Sequence, residues 1–417
     1  MSLLPLAARS LWNRRATAGL TVLSVAISVA LLLSVRQLNE QARNTFASTV
    51  SGTDLIVGAR GGDINLLLYS VFHLGNATNN VSWTLYERLA KHREVAWAVP
   101  LSLGDSHRGF RVLGTNESYY QHFRFGNERR IEFMSGHPPA DLYDTVVGAQ
   151  VARELGYKVG DQIVIAHGSG STSFANHADK PFTIVGVLAP TGTPIDRTVH
   201  VSLAAIQAIH LDWRSGVPAG KDRRENARHE NLNPESVTAI LIGLKSKVTT
   251  FQMQRSINEY RGEPLLAILP GVTLQSLWSI VSRVETALLI VGLLVTAAGL
   301  ICLLVAILAS LNERRREMAI LRSVGARPAQ IFTLLVSEAV AVAALGILLG
   351  FVCTYAALLV ARPIVQQMYG LSLQWPTWSS VDLAIICGVL LAAAFAGAVP
   401  AWQAYRRSLA DGLTIRL

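Results

Sequence analysis

Apolar residues run without a charge through four stretches of this chain, residues 16–35, 286–312, 339–361 and 383–405. Each holds roughly 20 residues or more, and about 20 helical residues cross the ~30 Å hydrocarbon core of a bilayer. A bilayer interior has no water to satisfy free amides and carbonyls, so these runs are expected as four spanning helices. The long segment between the first and second runs has a different period. Residues 81–90 place Leu85 and Leu89 on one helical side, whereas 95–103, 110–113 and 146–147 are rich in branched residues and read as strands. From residue 146 to 188 the pattern is strand, a helix holding Val151, Ala152 and Leu155, turns at Gly156 and Gly160-Asp161, then strands at 162–166 and 182–188. Strand character returns at 237–244 and helix at 248–260. The fold class expected is a membrane protein of four transmembrane α-helices with an α+β external domain between the first two.

Some stretches do not fit a simple period. The apolar run 66–72 is too short to span and reads as a buried strand or helix, with a lipid-touching lip as the rival. Glycines at 52, 58, 61 and 62 read as turn punctuation. Residues 167–180 form a Gly/Ser-rich loop, and 215–235 are polar and basic without an apolar period. The stripe Leu274, Leu277, Trp278, Val281 and Val284 meets the second span without a breaker, which predicts one continuous stalk helix.

Charge sets the sidedness. The net charge of +9 could suggest a nucleic acid, but the arginines cluster beside the spans. Arg9, Arg14 and Arg15 precede the first, Arg314, Arg315, Arg316, Arg322 and Arg327 separate the second and third, and Arg406, Arg407 and Arg416 follow the fourth. The positive-inside rule then places both termini in the cytoplasm and the long domain outside, and no nucleic-acid partner is expected. Cys302, Cys353 and Cys387 all fall in the spans, so the external domain holds itself together without disulfides.

The resulting plan is an amphipathic cytoplasmic elbow helix at 1–15, span one at 16–38, the periplasmic domain at 39–275, and the stalk with span two at 276–311. A cytoplasmic helix at 312–328, span three at 329–361, a short periplasmic loop at 362–380, span four at 381–405 and a cytoplasmic tail at 406–417 complete it. The first run exceeds the usual ~7–15 residues of a cleavable signal core, so it is read as a retained span.

The polar island at 312–326 carries the functional argument. Arg314, Glu317, Met318, Leu321 and Arg322 recur at three- and four-residue spacing, with Gly325 as a stop before Pro328. No phosphate-cradling loop is present. Residues 216–222 read G-x-x-x-G-K-D, one residue short and without the hydroxyl that holds magnesium, so the energy must enter from another chain.

Residues 313–326, Glu-Arg-Arg-Arg-Glu-Met-Ala-Ile-Leu-Arg-Ser-Val-Gly-Ala, resemble the loop signature of MacB/FtsX-type ABC transporter permeases. Glu338 followed by Gly346 and Gly350 resembles the family's third span, in which small residues allow close helix contact. The run around Val147, Gly148, Ala152, Leu155 and Gly156, with 182–188, is similar to the family's periplasmic domain, a porter-like lobe with an inserted β-lobe. Pro400, Ala401 and Ala404 also fit, whereas 409–412 depart from the family pattern.

The resemblance implies a homodimeric, non-catalytic permease in the bacterial inner membrane, served by a cytoplasmic ABC ATPase dimer that holds ATP and Mg, with no cofactor bound by the permease itself. Glu313, Arg314, Arg315, Glu317, Met318, Leu321, Arg322 and Gly325 would dock on the ATPase, and the external domain would act on a cargo or a periplasmic partner protein. Two other readings stay open: a signalling scaffold that controls a periplasmic partner, and a zinc-linked transport system. The ten histidines, among them His167 and His177, all lie in the external segment but show no strong ligand spacing, so no metal ligands are assigned.

Overall fold

The computed structural model describes residues 15–49, 51–126, 128–167, 180–210, 232–313, 323, 325–370 and 378–406. Among them are four helices long and apolar enough to cross a membrane: α1 (Arg15–Thr49), α8 (Pro270–Glu313), α9 (Pro328–Tyr369) and α10 (Ser380–Arg406). Chain contacts divide the molecule into two units, residues 1–41, 281–361 and 375–417 in one, and 42–280 with 362–374 in the other. The boundaries therefore fall inside α1, α8 and α9.

In the intervening domain the strands run β1 (Leu55–Ala59), β2 (Val81–Ser82), β3 (Val95–His107), β4 (Phe110–Thr115), β5 (Arg124–Phe125), β6 (Arg129–Arg130), β7 (Phe133–Gly136) and β8 (Asp144–Val147). They continue as β9 (Gln162–Ile163), β10 (Ala166–His167), β11 (Phe182–Leu188), β12 (Thr198–Ser202), β13 (Ser236–Val237), β14 (Ala239–Leu244) and β15 (Leu265–Ile268). The helices are α2 (Asp63–Val71), α3 (Trp83–Ala90), α4 (Ser118–His122), α5 (Ala149–Leu155), α6 (Leu203–His210) and α7 (Thr250–Asn258).

One mixed sheet of 11 strands forms the frame, in the order β15-β1-β14-β3-β4-β12-β8-β11-β7 with β9 and β10 at its side. The long strand β3 joins its halves. Residues from Val95 to Leu101 pair with β14, those from Ser102 to His107 pair with β4, and the register shifts between Leu103 and Ser106. Both faces are covered, so neighbouring residues feed different cores. Leu55 and Val57 pack with α3 and α7 residues such as Leu85 and Met253, whereas Ile56 packs on the other face with Leu66 and Leu67 of α2. A third cluster, around Val147, Val151, Phe182 and Ile206, lies under α5 and α6.

The short apolar run at 66–72 is thus interior, and its burial favours the core reading over the lipid-touching lip. Tyr69 donates from Oη to Thr238 O at 3.0 Å. Gly58, read from sequence as turn punctuation, is instead the penultimate residue of β1, paired with Ala239 on one side and Leu266 on the other. A Cβ there would lie 2.6 Å from Leu66 Cδ1 and 2.7 Å from Tyr69 Oη, so glycine is what lets α2 sit down on the strand.

The spanning helices pack through small residues. Clusters join Val25, Val29 and Leu33 of α1 to Ile347 of α9 and Val389 of α10, and Leu303 and Ile307 of α8 to Ala339, Ala343 and Ala393. Ala401 of α10 is enclosed by Ile331 and Leu335. Other apolar side chains such as Leu293, Leu348, Leu391 and Phe395 are exposed, as lipid-facing positions require.

Candidate functional site

The polar island is only partly covered by the structure. Glu313 is the last residue of α8, while Arg314, Arg315, Glu317, Met318, Leu321 and Arg322 lie outside the described residues. Gly325 has φ +102°, a conformation in which side-chain-bearing residues are rare. Pro328 then opens α9 at a position where its missing N–H is no loss, and Gln330 Oε1 accepts from Arg327 N at 2.9 Å.

Gly346 and Gly350 face α1. A Cβ on Gly346 would lie 2.7 Å from Val25 Cβ, and one on Gly350 would lie 2.6 Å from the Ala26 carbonyl oxygen. Glu338, two turns earlier, is half-buried in the same helix. The opposite neighbour of α1 follows the same logic. Gly292 of α8 abuts Leu32, Gly299 abuts Ser24 and Ser28, and Ser28 Oγ lies within 3.2 Å of Val295 O. Nothing local in the apolar run of α8 marks Gly292, Gly299 or the Ser28 contact as packing positions.

A polar cluster ties α1 to α10. Arg36 Nη1 donates to Asp382 Oδ1 at 2.5 Å and its Nη2 to Glu40 Oε2 at 2.8 Å, while Gln37 Nε2 donates to Asp382 Oδ2 at 3.3 Å. Asp382 is buried and also accepts from Ser379 N at 3.0 Å, while Ser379 Oγ accepts from Val381 N at 3.2 Å, so the two side chains cap the start of α10. The S-x-x-D spacing at 379–382 is a local signal for that helix start which the apolar run alone did not use. The Arg36 partnership had none, since its members are almost 350 residues apart.

Inside the intervening domain, the ends of α1 and α8 meet its core. Phe46 packs against Phe72 with ring centroids 4.5 Å apart and the planes tilted by 34°, and Trp278 meets Phe46 edge-on at 5.7 Å. Leu274 is buried in the cluster that holds Leu66, Val99 and Leu188.

The histidines go to separate fates. His73 Nδ1 lies 2.8 Å from Thr198 Oγ1, whose own hydrogen goes to Pro194 O, so the imidazole is the donor and Nδ1 carries its proton. Burial, with the nearby Arg111 charge, pushes its pKa down to about 4. His200 is enclosed against the rings of Tyr119 and Tyr120, and neither nitrogen finds a well-formed hydrogen bond. Burial drives its pKa down to about 3, helped by His73 and opposed weakly by the Ile195 backbone. His107 is held by Val164 O and Tyr157 Oη, and His122 stacks on Trp97. Among the described residues no group of three or more His, Cys, Asp or Glu side chains converges. His177 and the His167 side chain lie outside the described residues.

Four apolar helices with a large α/β domain inserted after the first define a multi-pass membrane protein. The family model for the MacB-like periplasmic core domain matches residues 18–260, and that for the FtsX-like permease C-terminal region matches residues 289–409. The chain therefore belongs to the MacB/FtsX-type permeases, membrane components of ABC transporters.

Among solved structures, the periplasmic region of MacB from Actinobacillus actinomycetemcomitans is similar at 9% identity and a TM-score of 0.34, covering 55% of this chain and 94% of that one. The extracellular domain of the noncanonic ABC-type transporter YknZ from Gram-positive bacteria is similar at 12% identity and a TM-score of 0.30, covering 51% of this chain and 98% of that one. Among curated proteins no match is found. The family assignment rests on the two family-model matches.

Proposed function

We propose that this chain is the non-catalytic subunit through which a partner ATPase moves the intervening domain. The observation that carries the reading is α8. It is one helix of 44 residues, with Leu274 in the domain core and Glu313 at the start of the polar island. At ~1.5 Å per residue such a helix is about 66 Å long, and a displacement at one end is delivered to the other with little loss. Its neighbour α1 makes a comparable connection through Phe46.

In this reading the island, from Glu313 through Arg314, Arg315, Glu317, Met318, Leu321 and Arg322 to Gly325, docks in a groove of a cytoplasmic ABC ATPase. That ATPase, acting as a dimer, holds ATP and Mg. Two copies of the permease pair in the bacterial inner membrane, with termini in the cytoplasm and the α/β domain outside, where its movement acts on an envelope cargo or a periplasmic partner protein. The apolar side chains Met318 and Leu321 supply the docking contact, and the charges around them set its orientation.

Replacing Met318 and Leu321 by Asp is expected to abolish stimulation of the partner's ATP hydrolysis while membrane insertion stays intact. The rate of ATP hydrolysis by the co-purified ATPase, with and without the variant permease in lipid nanodiscs, checks this. Undiminished stimulation would contradict the docking assignment.

A further inference from the structure

The short loop expected at 362–380 begins instead as helix. α9 continues through Pro363 to Tyr369, and residues 362–374 belong to the same compact unit as the α/β domain. The last turn of α9 is received by a socket built from α5 and the segment before β12. Arg197 Nη1 donates to the Gln367 carbonyl oxygen, and Gln150 Nε2 donates to the same oxygen at 3.1 Å. A helix C-terminus exposes carbonyls that lack intrahelical partners and carries partial negative charge, so a guanidinium is a well-matched cap. Gly370 closes the helix with φ +70° and is buried; a Cβ there would lie 3.1 Å from Arg197 Cγ and 3.2 Å from Thr193 O.

The socket is preorganised. Arg197 is fixed by Glu154 at 3.3 Å and by its position 4.8 Å over the Phe110 ring. Gln150 is buried and held by Glu154 Oε1 at 2.6 Å. The segment carrying Arg197 is tied by Asp196, which accepts from Thr191 N, Thr191 Oγ1 and Gly192 N, each at 2.8 Å. Gly148 lets α5 close on it, since a Cβ there would lie 2.3 Å from Ile195 O. At the other end of the docked segment, Pro363 lacks the N–H that would complete the helix ladder. It stands two residues beyond Ala361, where the first unit ends. A helix bends most readily at such a position.

We infer that α9 is a third mechanical link to the intervening domain, hinged at Pro363 and latched by Arg197, Gln150 and Gly370. The inference rests on the transmission reading above and adds positioning residues to it. With the latch closed, any stroke that reaches the domain through α1 and α8 is resisted or shared by the third span. With the latch open, the last turns of α9 are free of the domain.

The test uses the full chain in nanodiscs with the ATPase that co-purifies with it. Hydrogen exchange without nucleotide reads the latch. Arg197→Ala and Gly370→Ala are each expected to speed exchange of the amides of residues 364–370 at least tenfold, while β8, β11 and β12 keep their protection, and Arg197→Lys is expected to recover most of it. Gly370→Ala changes no residue of α5 or of the segment before β12, so unchanged exchange at 364–370 in that variant overturns the latch. Stimulated ATP hydrolysis then reads the link. A severalfold change in Arg197→Ala that Arg197→Lys restores supports it, and stimulation equal to wild type in a variant whose 364–370 segment is freed overturns it. Failure of the transmission reading itself looks different, because wild type would then show no stimulation at all while the exchange result at 364–370 stands.

Discussion

Between pH 6.5 and pH 4.5 the intervening domain is expected to lose about 4 kcal/mol of stability, a large share of the ~5–15 kcal/mol that holds a typical domain folded. The cause is the pair of buried imidazoles. His73 and His200 are pushed from 6.5 down to about 4 and about 3. The unfolded chain takes up a proton on each near its ordinary pKa of ~6.5, whereas the folded domain does so only at lower pH. The unfolded state holds about one more proton at pH 6.5 and nearly two more by pH 5, each worth ~1.4 kcal/mol per pH unit, so stability is full above the unfolded pKa and falls as the pH falls. Urea titration of the detergent-solubilised chain, followed by near-ultraviolet circular dichroism, measures the loss. His200→Leu is expected to remove about half of the pH slope. A slope unchanged in that variant would assign the acid sensitivity elsewhere.

Gly350→Leu is expected to destabilise the spanning helices by about 3 kcal/mol, at the upper end of the ~1–3 kcal/mol usual for overpacking. The reason is backbone, not side chain. Even the first added carbon would stand 2.6 Å from the Ala26 carbonyl, 3.1 Å from Val29 Cβ and 3.2 Å from Ala30 N, so α1 and α9 must separate. Helices in a bilayer have no hydrophobic drive toward one another and depend on such close packing. Thr354, whose Oγ1 donates to Gly350 O at 3.0 Å and lies 3.4 Å from Ala30 O one turn away, would be drawn away from α1 as well. Thermal unfolding in detergent measures the effect. Gly388→Ala is the control, because its added carbon would meet nothing within 4 Å, and it is expected to leave the transition where it was.

The four apolar runs and the stalk stripe were legible because a spanning helix is written as one uninterrupted signal, and α8 indeed runs unbroken from Pro270 to Glu313. Strand β11 was legible for a related reason: residues 182–188 carry branched residues on both faces between turn signals. Strand β1 was missed because Gly58 weakens its local signal, and only the approach of Leu66 and Tyr69 explains the glycine. Strands β12 and β15 were missed because their pairing partners, β4 and β8 for one and β1 for the other, lie far away in the chain.

The continuation of α9 past Arg362 was hidden by Pro363, which reads locally as a stop. What holds the helix beyond it is a carbonyl contact from Arg197, about 170 residues away. Likewise Asp382 reads locally as a helix start, and nothing nearby announces Arg36 as its partner. Local periodicity finds elements. Contacts between distant residues decide how they are joined.

In the proposed function, ATP hydrolysis in a partner chain is delivered to the intervening domain along its helices. Hydrogen exchange across residues 42–280, measured on the permease with its ATPase in nanodiscs with and without ATP, tests it most directly. Nucleotide-dependent changes are expected around Phe46, Leu274 and Trp278 and in the strands they pack against, lost when Met318 and Leu321 are replaced by Asp. Exchange across the domain that is identical with and without ATP, while hydrolysis proceeds, would contradict it.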